Sequence, residues 1–463
     1  MDNLPFAFIQ RMHDILRAET DNFMNALQEP SPVSIRFNTA KVDPANLKQT
    51  DGLVKQSVPW CPEGVYLDQR PRFTLDPYLH GGGYYVQEAS SMFLSYMVKQ
   101  LLTKEPVRVL DLCAAPGGKS TLLASLLPAG SLLVSNEVIR SRAAVLKENL
   151  IKWGGDQVVI TQNDPADFKR LRNAFDILLV DAPCSGEGMF RKDPETVKEW
   201  SETHLRLCSE RQKRIVGDVW DCIKPGGYLI YSTCTYNPEE NEEIIRWIQK
   251  KWGAESIQIE HHFPEITSTV PPLYGYRFYP HKVKGEGFFI SVLQKNDSSA
   301  HTVPKIKKTC FSSTIRLPEE LTALLPDRST LAVRNENSRI FVLPAIQDEF
   351  VSLLEQSLRV IYKGCEVGEL VHQKVKRLHP LALYVRLNSS NCLRDEVDLN
   401  TALRFLKKED IPVSAKAGEW VLITYGGIGL GWGKSVGNRL NNYYPKEWRI
   451  RMELPFGKVE SVK

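Results

Sequence analysis

The sequence predicts an α/β fold, a doubly wound parallel sheet flanked by smaller modules. Three observations predict it. Short apolar runs alternate with longer helical patterns from Val107 to Lys251, the order that builds strand–helix–strand units. Successive runs end in polar, turn-prone residues at Cys113–Gly118, Asn136–Glu137, Asn163–Asp164 and Asp181. Ligands of open α/β sheets bind beyond those carboxyl ends. The chain has 463 residues, 42% of them hydrophobic, enough for a sizeable core and too many for one ordinary domain.

Composition narrows the class. No apolar run approaches the roughly 18 residues of a membrane span. Met1–Pro5 lacks the basic and apolar regions of a signal peptide, so a soluble cytoplasmic protein is expected. Nine cysteines, an odd number without tight Cys-x-x-Cys pairs, argue against a disulfide framework or a zinc site and for reduced thiols. Residues 301–463 carry 25 basic against 18 acidic side chains, a net +7, and the first 300 residues carry −3. A basic C-terminal third suits a polyanionic partner.

The elements follow in order. Residues 1 to about 30 have helical spacing through Phe8, Ile9, Met12, Ile15 and Leu16, while Ser34–Thr39 and Gly64–Leu67 are extended. This predicts a small α+β domain over residues 1–95. Tyr84–Phe93 reads as the helix leading into the next domain. Over residues 96–296, strands are expected at Val107–Leu112, Ser131–Ser135, Val158–Thr161, Phe175–Val180 and Tyr228–Ser232. Helices are expected at Lys119–Leu127, Arg140–Trp153, Glu195–Lys224 and Asn241–Lys251, the third ended by Pro225–Gly227. Arg277–Pro280 and Gly287–Leu293 read as terminal antiparallel strands. Together these make a Rossmann-like sheet. Asp297–Lys308 has linker composition, and residues 297–373 are expected to hold that linker and a connecting α+β domain. Residues 374–463, rich in glycine and aromatics, read as a mostly-β module, with Glu419–Tyr425 as one of its strands.

The polar strand ends carry the chemistry. Gly117 and Gly118 open the first helix, where backbone can approach a ligand closely and the helix N-terminus suits an anion. The run is neither G-x-G-x-x-G nor a Walker loop. Glu137 lies 20 residues after Gly117, the spacing at which an acid receives ribose hydroxyls. Asp164 can meet an adenine edge at the next strand end. Four polar groups on one rim of the sheet point to a nucleoside-containing cofactor.

Asp181 and Cys184 sit on an elbow stiffened by Pro183. The strand ending at Tyr231–Tyr236 brings a second thiol, Cys234, beside it. Two thiols and a carboxylate near a nucleoside cofactor suggest covalent catalysis, because the thiolate is a strong nucleophile. Chemistry alone leaves open which thiol attacks. Cys208 and Cys222, in the long helix, read as buried structural thiols.

Asp111–Lys119, Asp181–Gly186, Ser232–Tyr236 and Tyr276–Lys282 with Gly285–Phe289 together resemble the Sun/Nop family of RNA (cytosine-5) methyltransferases. Arg36–Asn38 resembles the Arg-x-Asn element of that family's N-terminal region. The resemblance covers about residues 30–295. Gly431–Pro445 is similar to the bacterial ribosomal-RNA branch, which ends in a PUA-like RNA-binding module, and residues 310–370 match least.

The resemblance implies a fold, a Rossmann-like S-adenosylmethionine-dependent methyltransferase domain with a PUA-like tail. It implies that S-adenosylmethionine lies over Cys113, Ala114, Ala115, Pro116, Gly117, Gly118 and Lys119. Glu137 would then hold the ribose with Arg142 in the same set, Asp164 the adenine, and Asp181 the methionine end. It implies that Cys234 adds to cytosine C6, making C5 enamine-like, and that Cys184 assists release of the methylated base. Asp181 would bond the cytosine N3 and amino edge, and Lys119 would orient the base or the thiolate. The base must be unpaired or flipped. Phe190, Tyr236 and Phe288 are candidates to stack on it.

RNA contacts are expected from Arg36, Asn38 and His281. In the tail, Lys434, Arg439, Lys446 and Arg449 suit phosphates, and Trp432, Tyr443, Tyr444 and Trp448 suit stacking. The expected function is cytosine-C5 methylation of 16S rRNA by a monomer, without metal or membrane, on free rRNA or the 30S subunit. The alternatives are the same chemistry on tRNA, or an RNA-binding ribosome-assembly factor with an inactive methyltransferase domain. The presence of both cysteines and both cofactor acids speaks against the second.

Overall fold

The computed structural model describes residues 4–44, 54–296, 317–325, 328–372, 374–437 and 439–454. The linker expected at residues 297–308 lies outside them.

Apolar residues at helical spacing make two N-terminal helices, Phe6–Leu16 and Thr20–Ala26. They bury Phe8, Met12, Phe23 and Met24 in one cluster with Phe190, Trp200, Tyr236 and Tyr279. Strands β1 (Val33–Phe37), β2 (Val54–Val58), β3 (Cys61–Leu67) and β4 (Tyr84–Val86) form an antiparallel sheet in the order β2-β3-β1-β4. The expected helix over Tyr84–Phe93 is therefore half strand. Aromatic and β-branched residues at 84–86 fit a pleated surface, and Phe37, Arg36 and Ile35 pair with them. Glu88 then accepts from Ser90 N and Ser91 N at 2.8 Å each, so the helical turns begin at Ser90 and continue as Phe93–Leu101.

The central sheet is parallel. Strands β5 (Arg108–Asp111), β6 (Leu132–Asn136), β7 (Val158–Thr161), β8 (Phe175–Asp181) and β9 (Ile223–Thr233) lie in the order β9-β8-β5-β6-β7. Successive side chains serve opposite faces. Leu110, Leu178 and Val180 join one core with Ile215, Val216, Val219 and Ile244. Val109, Ile177 and Leu179 join another with Leu122, Leu123, Phe93 and Met97. Each such side chain contributes roughly 1.5–3 kcal/mol by burial. The chain runs outward from β5 to β7 and returns to β8, which places the crevice of a doubly wound sheet between β5 and β8. Beyond β9, strands β10 (Glu255–Ser256), β11 (Thr267–Ser268), β12 (Tyr276–Phe278) and β13 (Phe288–Gln294) add an antiparallel edge.

The long helix expected over Glu195–Lys224 is two helices, Pro194–Glu199 and Glu202–Val219. Trp200 is extended, and Ser201 caps the second helix by accepting from His204 N at 3.1 Å. Pro225–Gly227 does not end a helix. It lies inside β9 as an irregularity of the pairing with β8, where the register jumps from Phe175 opposite Ile223 to Ile177 opposite Tyr228, with Gly226 at φ 75°.

The segment expected as a connecting domain also builds the central sheet. Its strands β14 (Leu331–Glu336) and β15 (Arg339–Pro344) begin a separate sheet, but β16 (Val360–Lys363) pairs antiparallel with β7. Helix Asp348–Ser357 packs Phe350 edge-on to Phe175, centroids 5.8 Å apart. Strands β17 (Cys365–Val371) and β18 (Lys374–Arg377) complete the separate sheet.

The C-terminal module holds β19 (Leu393–Glu396), β20 (Trp420–Tyr425), β21 (Ile428–Val436) and β22 (Arg439–Asn442) in one sheet, with helices His379–Leu383 and Leu399–Leu406. Among the described residues, no helix is long and apolar enough to cross a membrane, and the eight cysteines are free thiols.

Candidate active site

β5 ends at Asp111, whose carboxylate is fully buried. Its Oδ2 accepts from Ser120 Oγ at 2.6 Å, its Oδ1 meets no partner, and burial pushes its pKa up to about 7. The loop that follows is pinned from the neighbouring elements. Ala114 N donates to Asn136 O at 2.8 Å, Arg142 Nη2 to Ala115 O at 2.9 Å, and Asn149 Nδ2 to Pro116 O at 2.8 Å. Gly117, at φ 114°, opens helix Gly118–Leu126, and no side chain caps it. The first N–H groups of that helix are thus left for a ligand.

Lys119 projects from this helix start. Its Nζ lies 2.8 Å from Asp181 Oδ2 and 5.1 Å from the Phe288 ring centroid. Ser232 Oγ donates to Asp181 Oδ1 at 2.8 Å. Burial opposes the lysine's charge, but Asp181, with Cys234 and Asp111, outweighs it and raises the pKa, so the amine stays cationic.

β8 and β9 are parallel neighbours with Asp181 opposite Ser232, so the loops after them leave side by side. This brings Cys184 Sγ and Cys234 Sγ to 3.3 Å. The hydrogen bond with Cys234, together with burial, pushes the Cys184 thiol well above its ordinary range, so it stays protonated.

A cavity of about 300 Å³ opens at this point, lined by Cys113–Pro116, Gly118, Lys119, Asp181 and Cys234. The volume suits a small-molecule site. Phe288, expected as a stacking residue, also lines it. Cys184, Gly117, Glu137, Arg142 and Asp164 lie outside the lining. Sequence reading missed the contribution of Tyr85–Glu88 and Ser91, and of Met189, Glu286 and Gly287. A strand reading of Tyr84–Val86 would have found part of it, because period-two alternation puts Tyr85 and Gln87 on one face.

The remaining expected residues divide by burial. Glu137 is 3% exposed, accepts from Ile139 N at 2.9 Å and lies 3.5 Å from Arg142 Nη1. Asp164 caps a 3₁₀ turn through Ala166 N and faces Arg214 at 3.8 Å.

Several residues expected on RNA are internal instead. Arg36 is 2% exposed. It donates to Gln87 Oε1 at 2.8 Å and Thr121 Oγ1 at 2.7 Å, and lies 4.5 Å over the Trp153 ring. Asn38 donates to Gly82 O and Trp153 O, both at 3.0 Å. His281 is buried at the imidazole, 3.3 Å from Glu19 and edge-on to Phe23. Trp432 is 0% exposed beneath Arg377. Arg36 and Asn38 spend their donors on neighbouring elements, and His281 and Trp432 bury their rings among other side chains, with His281 Nδ1 and Trp432 Nε1 meeting no partner. Phe190 and Tyr236 are likewise core, packed on Phe8 and Tyr279. Tyr444 is buried against His80. Arg439, Lys446 and Arg449 are exposed, while Lys434, Tyr443 and Trp448 are half-buried.

These groups fit S-adenosylmethionine. The uncapped helix start suits its carboxylate. Glu137 could accept from ribose hydroxyls, and Cys113–Pro116 with Gly118 form a close wall. A Cβ added at Gly118 would approach the Tyr85 ring to 3.3 Å.

Comparison with known proteins extends over nearly the whole chain. Residues 98–294 match the family 16S rRNA methyltransferase RsmB/F. Residues 4–89 match the N-terminal domain of 16S rRNA methyltransferase RsmF, and residues 393–450 the methyltransferase RsmF PUA domain. The chain is 32% identical over 469 residues to the ribosomal RNA small subunit methyltransferase F of Cronobacter sakazakii, covering 96% of each chain. It is 31% identical over 451 residues to that of Shewanella oneidensis, covering 92% of this chain and 93% of the other. A solved methyltransferase homolog from Pyrococcus horikoshii is 29% identical with a TM-score of 0.54, over 62% of this chain and 94% of that one. NSun6 from Pyrococcus horikoshii, solved with SFG, is 22% identical with a TM-score of 0.55, over 64% of this chain and 99% of that one, a likeness of fold alone. With three family matches in chain order and relatives aligned almost end to end, the chain belongs to the 16S rRNA methyltransferase RsmB/F family.

Proposed function

We propose that this enzyme methylates C5 of a cytosine in 16S rRNA, with Cys234 as the covalent nucleophile. The observation that carries this reading is the placement of the two thiols. Cys234 lines the cavity with Lys119 and Asp181, and Cys184 stands 3.3 Å from it outside the lining.

S-adenosylmethionine, when bound, supplies an electrophilic methyl group. Gly118 and Lys119 N–H groups would hold it, with Glu137 and Asp164 at the strand ends beside the cavity, Cys113–Pro116 as the wall and Arg142 bracing that loop. Cytosine C5 is a weak nucleophile until a thiolate adds at C6. Cys234 Sγ forms the C6–S bond as the C5–C6 π pair moves toward N3, and N3 takes up a proton from solvent that Asp181 then accepts in a hydrogen bond together with the exocyclic amine. Lys119, kept cationic, stabilises the attacking thiolate electrostatically. After methylation, water takes the C5 proton, the C–H pair re-forms the C5–C6 double bond, the C6–S pair leaves with Cys234, and N3 returns its proton to solvent. Cys184, held as a thiol, hydrogen-bonds the leaving sulfur. Phe288 supports the flipped base.

The C-terminal module supplies phosphate contacts through Arg439, Lys446 and Arg449. The acting species is a cytoplasmic monomer, on free 16S rRNA or the 30S subunit.

The test is methyl transfer from labelled S-adenosylmethionine into 16S rRNA, 30S subunits and bulk tRNA, with modified positions mapped by bisulfite sequencing. Label at one or a few small-subunit cytosines is expected. Label only in tRNA would overturn the substrate, and no label in any of them would overturn the activity.

A further inference from the structure

Each cysteine loop sends one buried glutamate into the other. Glu187, three residues after Cys184, is 0% exposed. Its Oε2 accepts from Thr235 Oγ1 at 2.6 Å, Tyr236 N at 2.9 Å and Asn237 N at 3.0 Å, all just after Cys234. Trp200 Nε1 donates to its Oε1 at 3.0 Å. Glu240, six residues after Cys234, is also 0% exposed. Its Oε2 accepts from Ser185 N, just after Cys184, at 2.9 Å and from Gln212 Nε2 at 2.8 Å, and its Oε1 from Asn237 Nδ2 at 2.8 Å. Gln212 Nε2 also reaches Pro183 O at 3.1 Å. Between the carboxylates, Ser185 Oγ and Thr235 Oγ1 lie 3.0 Å apart.

Neither glutamate lines the cavity. Buried carboxylates are costly unless their lone pairs are used, and here part of that capacity goes to the backbone N–H groups of Ser185, Tyr236 and Asn237, which follow the two thiols, and the rest to neighbouring side chains. Gly188 N donates to Cys234 O at 2.9 Å, and a Cβ at Gly188 would come within 2.5 Å of Gly287 O, so the loops meet backbone to backbone.

We propose that Glu187 and Glu240 are positioning residues that divide the two thiol steps. Glu187 holds the Cys234 turn for attack on the base. Glu240 holds the Cys184 turn for release of the product. This rests on the roles assigned to the two thiols above. A shared scaffold without division would slow both steps together.

The experiment uses the full-length protein with 16S rRNA or 30S subunits and S-adenosylmethionine, and reads adduct formation and adduct release separately by rapid quench. Cys234→Ala and Cys184→Ala calibrate the two readouts. If they fail to separate formation from release, the thiol assignment fails, whatever the glutamates do. If they separate, Glu240→Gln slows release about tenfold and leaves formation unchanged, because its amide nitrogen faces a donor whichever way it turns. Glu187→Met slows formation about tenfold and leaves release unchanged. Glu187→Gln, whose carbonyl oxygen still accepts from Tyr236 and Asn237 while its amide nitrogen faces the Trp200 indole donor, restores formation only to the level of Trp200→Phe. Gln212→Met and Trp200→Phe each remove one donor from one carboxylate. They must show the same split, and they decide the matter if a glutamate variant does not fold. Equal slowing of both steps, or no change in either, overturns the proposal.

Discussion

Lys119 Nζ and Asp181 Oδ2 lie 2.8 Å apart across the crevice between β5 and β8. The pair joins the helix start that would hold the cofactor to the strand end that would hold the base. Asp181→Asn keeps the shape and removes the charge. Its expected effect falls on the chemical step, with kcat lower by about 10²-fold or more. The dissociation constant of S-adenosylmethionine should rise less than about tenfold, since the helix start is untouched. Single-turnover rates and calorimetry check the two values, and an unchanged kcat would remove Asp181 from the reaction.

Arg36 is a structural arginine. Its guanidinium ties β1 to helix Gly118–Leu126 through Gln87 and Thr121. Arg36→Met leaves both partners short of a bond inside the protein, an expected loss of about 2–4 kcal/mol. A thermal melt should show the loss, while the folded variant binds 16S rRNA like the parent. Weakened RNA binding at an unchanged melting temperature would restore Arg36 as an RNA contact.

The contrast between Arg36 and Cys234 shows what the sequence could convey. Asp181, Cys184, Lys119 and Cys234 sit at strand ends, and strand ends are legible from local apolar runs and turn residues. Their convergence follows from the parallel order of the strands. Arg36 bonds Thr121, 85 residues away, and nothing local marks that partner. Trp432 lies between glycines in a basic, aromatic run that resembles a stacking surface, yet it fills the interior under Arg377. β16 was hidden for the same reason. A short apolar segment such as Val360–Lys363 does not reveal which sheet it joins, and here it joins β7.

Two histidines set an acid limit. His80 Nδ1 lies 3.2 Å from Tyr444 Oη, and His379 packs edge-on to Tyr444 and Trp448. Burial lowers His80 to about 4 and His379 to about 3. In the unfolded chain both titrate near 6.5. Below that pH the unfolded state takes up protons that the folded state refuses. Stability is therefore full above about 6.5 and is lost as pH falls toward 4. Thermal melts across this window should fall, and His379→Leu should flatten the fall. An equally steep fall in His379→Leu would assign the acid limit elsewhere.

The exposed cations of the C-terminal module should act additively and electrostatically. Arg439→Gln, Lys446→Gln and Arg449→Gln are each expected to weaken 16S rRNA binding and to reduce the slope of log K against log salt by about 1. Lys434, lying 5.5 Å over the Trp420 ring, should contribute less. Binding titrations at several salt concentrations check this, and unchanged slopes would place the RNA on another face.

The covalent role of Cys234, with Cys184 as its release partner, meets its most direct test on a denaturing gel. Cys184→Ala is incubated with 16S rRNA or 30S subunits and S-adenosylmethionine, then denatured. A slow-migrating protein–RNA band is expected, and it should vanish when Cys234→Ala is added to the same chain. Free protein alone from Cys184→Ala, or a band that survives the loss of Cys234, would contradict the account.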